Sequence, residues 1–368
     1  MTSGNEDMSS QSDQPNGASV CPNRTQVVIV GAGPIGLELA VECTRRGIAF
    51  ETLDSGSIGH TISWWAPETR WFSSNERIAI AGVPLLTRDQ TKATREEYLT
   101  YLRGVVEQFG FPVHCYQRVV DIRHRDTGFT VISESHAGER EVECEAVVLA
   151  VGGLDHPQRL SIEGEDLPHV DSYLREPHRY YGRNVLIVGG RNSAAEAALR
   201  LHHAGAHVSL SYRGPELPED HIKYWLLPEI RGLIRTGRIT GYFGTRPIQI
   251  TPTHVVLETQ NGSQQRVAAE DVLTLIGYVQ DKTLFRKAGI ELVGEPERPQ
   301  VNEDTMETNV RGIYIAGTAI AGSQRSDYKV FLENCHQHVE QILAHLTGTQ
   351  AQTENPEFQE IIQDAPES

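Results

Sequence analysis

One arrangement occurs twice in this chain and limits what it can fold into. Val27, Val28, Ile29 and Val30 form a β-branched run, the pattern of a strand covered on both faces. Gly31-Ala32-Gly33-Pro34-Ile35-Gly36 follows at once, and Leu37, Ala40 and Val41 then recur at helical spacing up to Gly47. A second strand, residues 49–53, ends in Asp54, 18 residues past Gly36. This is G-x-G-x-x-G in the context it needs: strand, turn, helix. The first glycine makes the tight turn and the second lets the backbone approach a pyrophosphate. The third lets the helix pack on the strand so that its N-terminus faces the phosphates, and the acid suits a ribose hydroxyl.

The pattern starts again downstream. Residues 184–188 are a second buried strand, leading into Gly189-Gly190-Arg191-Asn192-Ser193-Ala194 and a helix over 195–203. Gly205 ends that helix, and residues 208–212 form the next strand. The loop is of the G-x-G-x-x-A kind, except that Arg191 stands where the second glycine belongs, so its side chain must turn away from a pyrophosphate or reach around to it. Arg213 occupies the place that Asp54 holds in the first unit. A cation there suits a 2′-phosphate and favours NADPH over NADH.

Two such loops about 155 residues apart resemble the layout of flavoproteins that bind two dinucleotides, with FAD on the first loop and the nicotinamide on the second. Two further segments support this. Residues 146–153 form a strand ending in Gly152 and Gly153, similar to the segment that closes the first FAD unit in that superfamily. Residues 312–318, ending Ala316-Gly317-Thr318, resemble the second FAD segment, with Thr318 replacing the usual aspartate; its hydroxyl can still hydrogen-bond but brings no charge. The expected fold is α/β, with two Rossmann-like dinucleotide-binding domains and the FAD domain split by an inserted NADPH domain. The expected boundaries are a disordered tail at 1–24, FAD domain at 25–157 and 283–349, NAD(P)H domain at 158–282, and a second disordered tail at 350–368.

A formal charge of −16 repels nucleic acid and anionic membrane, and no apolar run approaches the roughly 18 residues that a membrane helix needs. The five cysteines (Cys21, Cys43, Cys115, Cys144 and Cys335) are scattered, which argues against a disulfide framework and for a reducing cytoplasm. None form Cys-x-x-Cys, so the redox motif of thioredoxin reductases is missing. The Phe-x-Gly-x-x-x-His signature of flavin monooxygenases is also absent: residues 162–169 lack the phenylalanine and run one residue too long. His336 and His338 are two apart, off a common helix face, and predict no metal site.

Over nearly the whole body the chain resembles the YpdA-type bacillithiol-disulfide reductases, a thioredoxin-reductase-like family without Cys-x-x-Cys. The resemblance rests on Trp71-Phe72-Ser73-Ser74, residues 80–84, Thr94-Arg95-Glu96-Glu97-Tyr98, residues 163–170, the second glycine loop with its basic third position, Ile222-Lys223 with Leu227-Pro228-Glu229, and Phe331-Leu332-Glu333-Asn334. It implies an NADPH-dependent FAD oxidoreductase that passes electrons to a low-molecular-weight disulfide. Other acceptors (ferredoxin, a quinone or dioxygen), a monooxygenase-like activity and a redox-sensing role stay open, as does a homodimer. The family usually has Gly-Pro-Cys-Gly in its first loop; here Ile35 replaces that cysteine and cannot form a mixed disulfide. Either the reduced flavin acts directly without a protein thiol, or the substrate is not a thiol disulfide, or another cysteine serves; for that last case Cys335 is the candidate catalytic thiol, at the start of a C-terminal helix that lies near the flavin in relatives, with His336 placed to lower its pKa if the side chains meet. Trp64, Trp65 and Trp71 are expected either to pack on the flavin or to form a plain hydrophobic lid.

Overall fold

The computed structural model describes residues 23–323 and 330–350. Most of both expected tails, and Cys21, lie outside them. The first tail is too long by two residues, because Asn23 and Arg24 already pair with Val142 and Glu143.

The first sheet contains β1 (Asn23–Val30), β2 (Phe50–Leu53), β3 (Val113–His114), β4 (Arg118–His124), β5 (Phe129–Ser135), β6 (Gly138–Leu149) and, from the far end of the chain, β19 (Ile313–Ile315). Its order is β3-β2-β1-β6-β5-β4. The 12 residues of β6 are explained by its two edges. One pairs in parallel with β1; the other serves β5 antiparallel over 138–144 and then β19 in parallel over 147–149. Val27 to Val30 are all buried, as a doubly covered strand requires. On one face lie α1 (Pro34–Arg46), α3 (Arg95–Phe109) and α7 (His336–Thr347). Proline opens α1 and left-handed Gly47 closes it, while α3 starts on a capping box between Thr94 and Glu97. Fully burying Leu37 and Leu39 contributes about 1.5–3 kcal/mol each. The short α2 (Asn75–Ile78) joins this layer, and α6 (Thr283–Lys287) covers the other face.

The chain leaves this sheet through β7 (His156–Pro157) and returns through β16 (Tyr278–Val279), which pair only with each other. Between these crossings lies a second, wholly parallel sheet of β8 (Val170–Asp171), β9 (Asn184–Val188), β10 (His207–Tyr212), β11 (Thr240–Phe243) and β15 (Asp271–Thr274), ordered β11-β10-β9-β15-β8. Helices α4 (Asn192–His203) and α5 (Leu227–Arg235) cover one face. An antiparallel meander of β12 (Thr245–Ile250), β13 (His254–Thr259) and β14 (Gln264–Ala268) covers the other. A hairpin of β17 (Leu292–Val293) and β18 (Arg298–Pro299) precedes β19.

Candidate active site

Both glycine loops open into one cleft of about 1980 Å³, well above the ~300–1,000 Å³ typical of a pocket for a single small ligand. The loop after β1 is built by close backbone approach. Gly31 has φ 114°, and a Cβ there would stand 2.3 Å from the Ala150 carbonyl oxygen; one on Gly36 would stand 2.0 Å from that of Gly31. At Gly33 a Cβ meets nothing within 4 Å, so its face is open to the cleft. Asp54 shapes this loop: one carboxylate oxygen accepts from the Ala32 amide and the other from the Gly56 amide, each at 2.7 Å. The carboxylate still borders the cleft with lone pairs to spare.

Beside this loop lie the two segments expected from the sequence. A Cβ on Gly153 would reach within 2.9 Å of the Thr318 carbonyl oxygen, so residues 152–153 and 317–318 pack directly on each other where they line the cleft. Gln280 ties them together, its amide nitrogen donating to the carbonyls of Gly152 at 3.0 Å and Ala319 at 2.8 Å. Gly317 packs on Ile35, and its N–H donates to Nδ1 of buried His338 at 3.2 Å. Burial, helped by nearby His336, pushes the His338 pKa down to about 4.

In the second loop, Gly189 lies where a Cβ would stand 2.4 Å from the Leu275 carbonyl oxygen, and Gly190 lies beneath the Tyr212 ring. Arg191 takes the extended N-cap position of α4 and lines the cleft with Ser193 and Asn192, whose Oδ1 accepts from the Lys223 amide at 2.7 Å. Arg213 follows β10, exposed on the cleft wall, with no ion-pair partner among the described residues. Gly36 and Ala194, expected at the cofactors, do not line the cleft. They let each helix pack against its own loop, Ala194 with its methyl 3.1 Å from where a Gly189 Cβ would lie.

Cys335 is a correction. It is fully buried in the layer between the first sheet and α7, outside the cleft lining, and its thiol donates to the Phe331 carbonyl. Burial, with Glu333 and Glu38 nearby, pushes its pKa well up, and His336 does not counter this because its ring is spent on Glu38 and the Arg77 carbonyl. A thiol so placed is held in its protonated form, outside the space that the two loops share. Buried Cys43 and Cys144 are raised by the same cause. Trp64, Trp65 and Trp71 do line the cleft, Trp65 and Trp71 edge to face at 4.8 Å between ring centres. Sequence reasoning missed Gln280 and His338, which act through backbone groups, and the pair Glu196 and Arg200 on α4. No group of three or more potential metal ligands occurs among the described residues, and none of their helices is long and apolar enough to cross a membrane.

This arrangement defines an oxidoreductase that holds two dinucleotides, and comparison with known proteins agrees. Residues 28–317 match the family described as pyridine nucleotide-disulphide oxidoreductase. The chain is 34% identical over 321 residues, 87% of its length and 97% of the relative's, to the bacilliredoxin reductase Bdr of Bacillus subtilis (strain 168). The solved bacillithiol disulfide reductase Bdr (YpdA) from Bacillus cereus superposes with a TM-score of 0.83 at 32% identity, covering 89% of this chain and 99% of that one. The thioredoxin reductase of T. acidophilum shares the fold, with a TM-score of 0.68 at 17% identity over 89% of this chain and 98% of that one. The chain therefore belongs to the pyridine nucleotide-disulphide oxidoreductase family, among its bacillithiol-disulfide-reductase-like members. It is a flavoprotein oxidoreductase whose cofactors are FAD and NADPH.

Proposed function

We propose that the chain reduces a low-molecular-weight disulfide with NADPH, and that it does so without a protein thiol. The observation that carries this reading is the single cleft shared by both glycine loops, with no cysteine among its lining residues. FAD fits the first loop: the open face of Gly33 admits a pyrophosphate, Asp54 is placed for the ribose, and Gly152, Gly317, Thr318, Pro34 and Ile35 border the same space. The second loop suits NADPH, with the α4 N-terminus and Arg191 for the pyrophosphate and Arg213 for the 2′-phosphate. Held by these residues, a flavin would supply two-electron transfer between the nicotinamide and the acceptor. The net balance is one NADPH and one proton consumed per S–S bond broken, giving NADP⁺ and two thiols.

The two Bdr relatives are named for different acceptors, a bacilliredoxin in one and bacillithiol disulfide in the other. The second name gives a disulfide as the acceptor, which favours that chemistry here over ferredoxin, quinone or dioxygen. The test is stopped-flow reduction of the flavin by NADPH, followed by reoxidation with a panel of small disulfides. Cys335→Ser should retain both half-reactions within about twofold, since a buried thiol far above neutral pKa carries no thiolate. Loss of reoxidation alone in this variant would make Cys335 catalytic. Failure of every disulfide to reoxidise the wild type would move the assignment to another acceptor.

The same assay tests the dinucleotide preference. Arg213→Ala should weaken NADPH about ten- to a hundredfold, the roughly 1.5–3 kcal/mol of a charge-assisted bond to phosphate, and leave NADH little changed. Equal use of both nucleotides by the unmutated protein would remove Arg213 from this role.

A further inference from the structure

Among the described residues two chain crossings join the sheets, and the strands that carry them, β7 and β16, pair solely with each other. Side chains that span the cleft therefore set how the two sheets face. Two of these contacts are aromatic edges: Trp64 with Tyr173 at 5.7 Å and Phe72 with Trp225 at 5.9 Å between ring centres. Such contacts tolerate sliding, because the ring pair has a broad range of acceptable offsets.

Arg200 is different. From α4 it reaches across to the segment before α2, where Nη1 donates to Thr69 Oγ1 at 2.6 Å and Nη2 donates to the Pro67 carbonyl. A planar fork on two fixed acceptors is directional. The seat it grips is stiff. The Thr69 carbonyl accepts from the Arg95 amide at 2.7 Å, the Glu68 amide donates to Glu96 at 3.1 Å, and the Trp71 amide donates to the Ala93 carbonyl at 3.0 Å. Thr69 and Arg200 both line the cleft, so this grip sits beside the space the two loops share.

One turn earlier on α4 is Glu196. It lines the same cleft, and its carboxylate makes no hydrogen bond among the described residues. Burial pushes its pKa up, and the charge of Arg200 only partly opposes this. Glutamate four residues before arginine is the favourable order for an ion pair on one helix. Here the guanidinium forgoes that partner and turns to the opposite wall. A half-buried carboxylate on the cleft wall, one helical turn from a cation engaged elsewhere, offers that cation a second partner.

We propose that Arg200 is a positioning residue with two alternative seats: Pro67 and Thr69 across the cleft, which hold the second glycine loop over the first, and Glu196 on its own helix, which releases that grip. The proposal rests on the reading of the two loops as FAD and NADPH sites, but its first readout does not. That readout is backbone hydrogen exchange of the FAD-loaded protein without NADPH. It follows the Asp155 and Gln158 amides, which donate to the Val279 and Gly277 carbonyls at the crossings. Arg200→Met should raise exchange there several-fold, and Glu196→Gln, which removes the competing carboxylate, should lower it. The second readout is the limiting rate of flavin reduction by NADPH. In Arg200→Met it should fall about tenfold, as expected for losing a charge-assisted bond, while the NADPH dissociation constant stays within about twofold. Glu196→Gln should be no slower than wild type. Arg200→Lys, a cation without the fork, should fall between, and its flavin content checks that the fold is intact.

Unchanged exchange and rate in Arg200→Met would overturn the proposal. So would weakened NADPH binding in that variant, since Arg200 would then contact the dinucleotide, or equal slowing in Glu196→Gln. If NADPH failed to reduce the wild-type flavin, the proposed function would fall, while hydrogen exchange would still decide the role of Arg200.

Discussion

Gly33→Val is expected to yield a folded, colourless protein. Gly33 is the N-cap of α1 with φ −78° and ψ 179°, extended backbone that valine adopts without strain. A Cβ there meets no protein atom within 4 Å, so the branched side chain enters the cleft rather than the core. The space it enters is where the second glycine of such a loop lets a pyrophosphate approach the backbone. FAD affinity should drop at least about a hundredfold, or about 2.7 kcal/mol, and flavin absorbance should be lost after gel filtration. The apoprotein should melt like wild-type apoprotein, because only the ligand's stabilisation is gone. Gly36→Ala is the contrast. Its Cβ would lie 2.0 Å from the Gly31 carbonyl oxygen, so it should impair folding as well as colour. A Gly33→Val protein that copurifies yellow at full occupancy would show that the first loop is not the flavin's.

The two loops were legible because each rests on local patterning. A buried β-branched run, a glycine turn and a helical apolar repeat are adjacent in the chain, and β1, α1, β9 and α4 fall within a few residues of where that pattern puts them. The same locality explains what was missed. Strand β6 reads as beginning near Ala146, because its first half is polar (Gly138-Glu139-Arg140-Glu141) and pairs only with β5, whose partner face cannot be inferred from either strand alone. Gln280 looks like an ordinary polar residue after a short strand, yet it is buried and bridges segments 128 and 39 residues away. Cys335 is the converse case. Its position beside His336 suggests activation, but α7 turns the thiol into the apolar layer and sends the imidazole to Glu38 on α1. A neighbour in sequence does not become a partner when consecutive side chains on a helix point about 100° apart.

Acid should destabilise the folded protein through His338, and the hydrogen bonds define the pH range. The Gly317 N–H donates to Nδ1, so that nitrogen must be unprotonated while the contact holds. Burial holds the folded-state pKa at about 4, against the ordinary value of 6.5 that applies when the chain is unfolded. Between those values the unfolded chain carries the proton and the folded chain does not. Stability from this group is therefore complete above about pH 6.5 and lost progressively as pH falls toward about 4. The gap corresponds to about 3 kcal/mol at full extent. His338→Asn keeps an acceptor near the Nδ1 position but cannot take up a proton, so denaturant unfolding of this variant should follow pH less steeply between about 4 and 6.5. Because Gly317 borders the space assigned to FAD, flavin release from the wild type should set in over the same range and shift to lower pH in the variant. Parallel stability curves for the two proteins across that range would show that the ring is not held neutral by the fold.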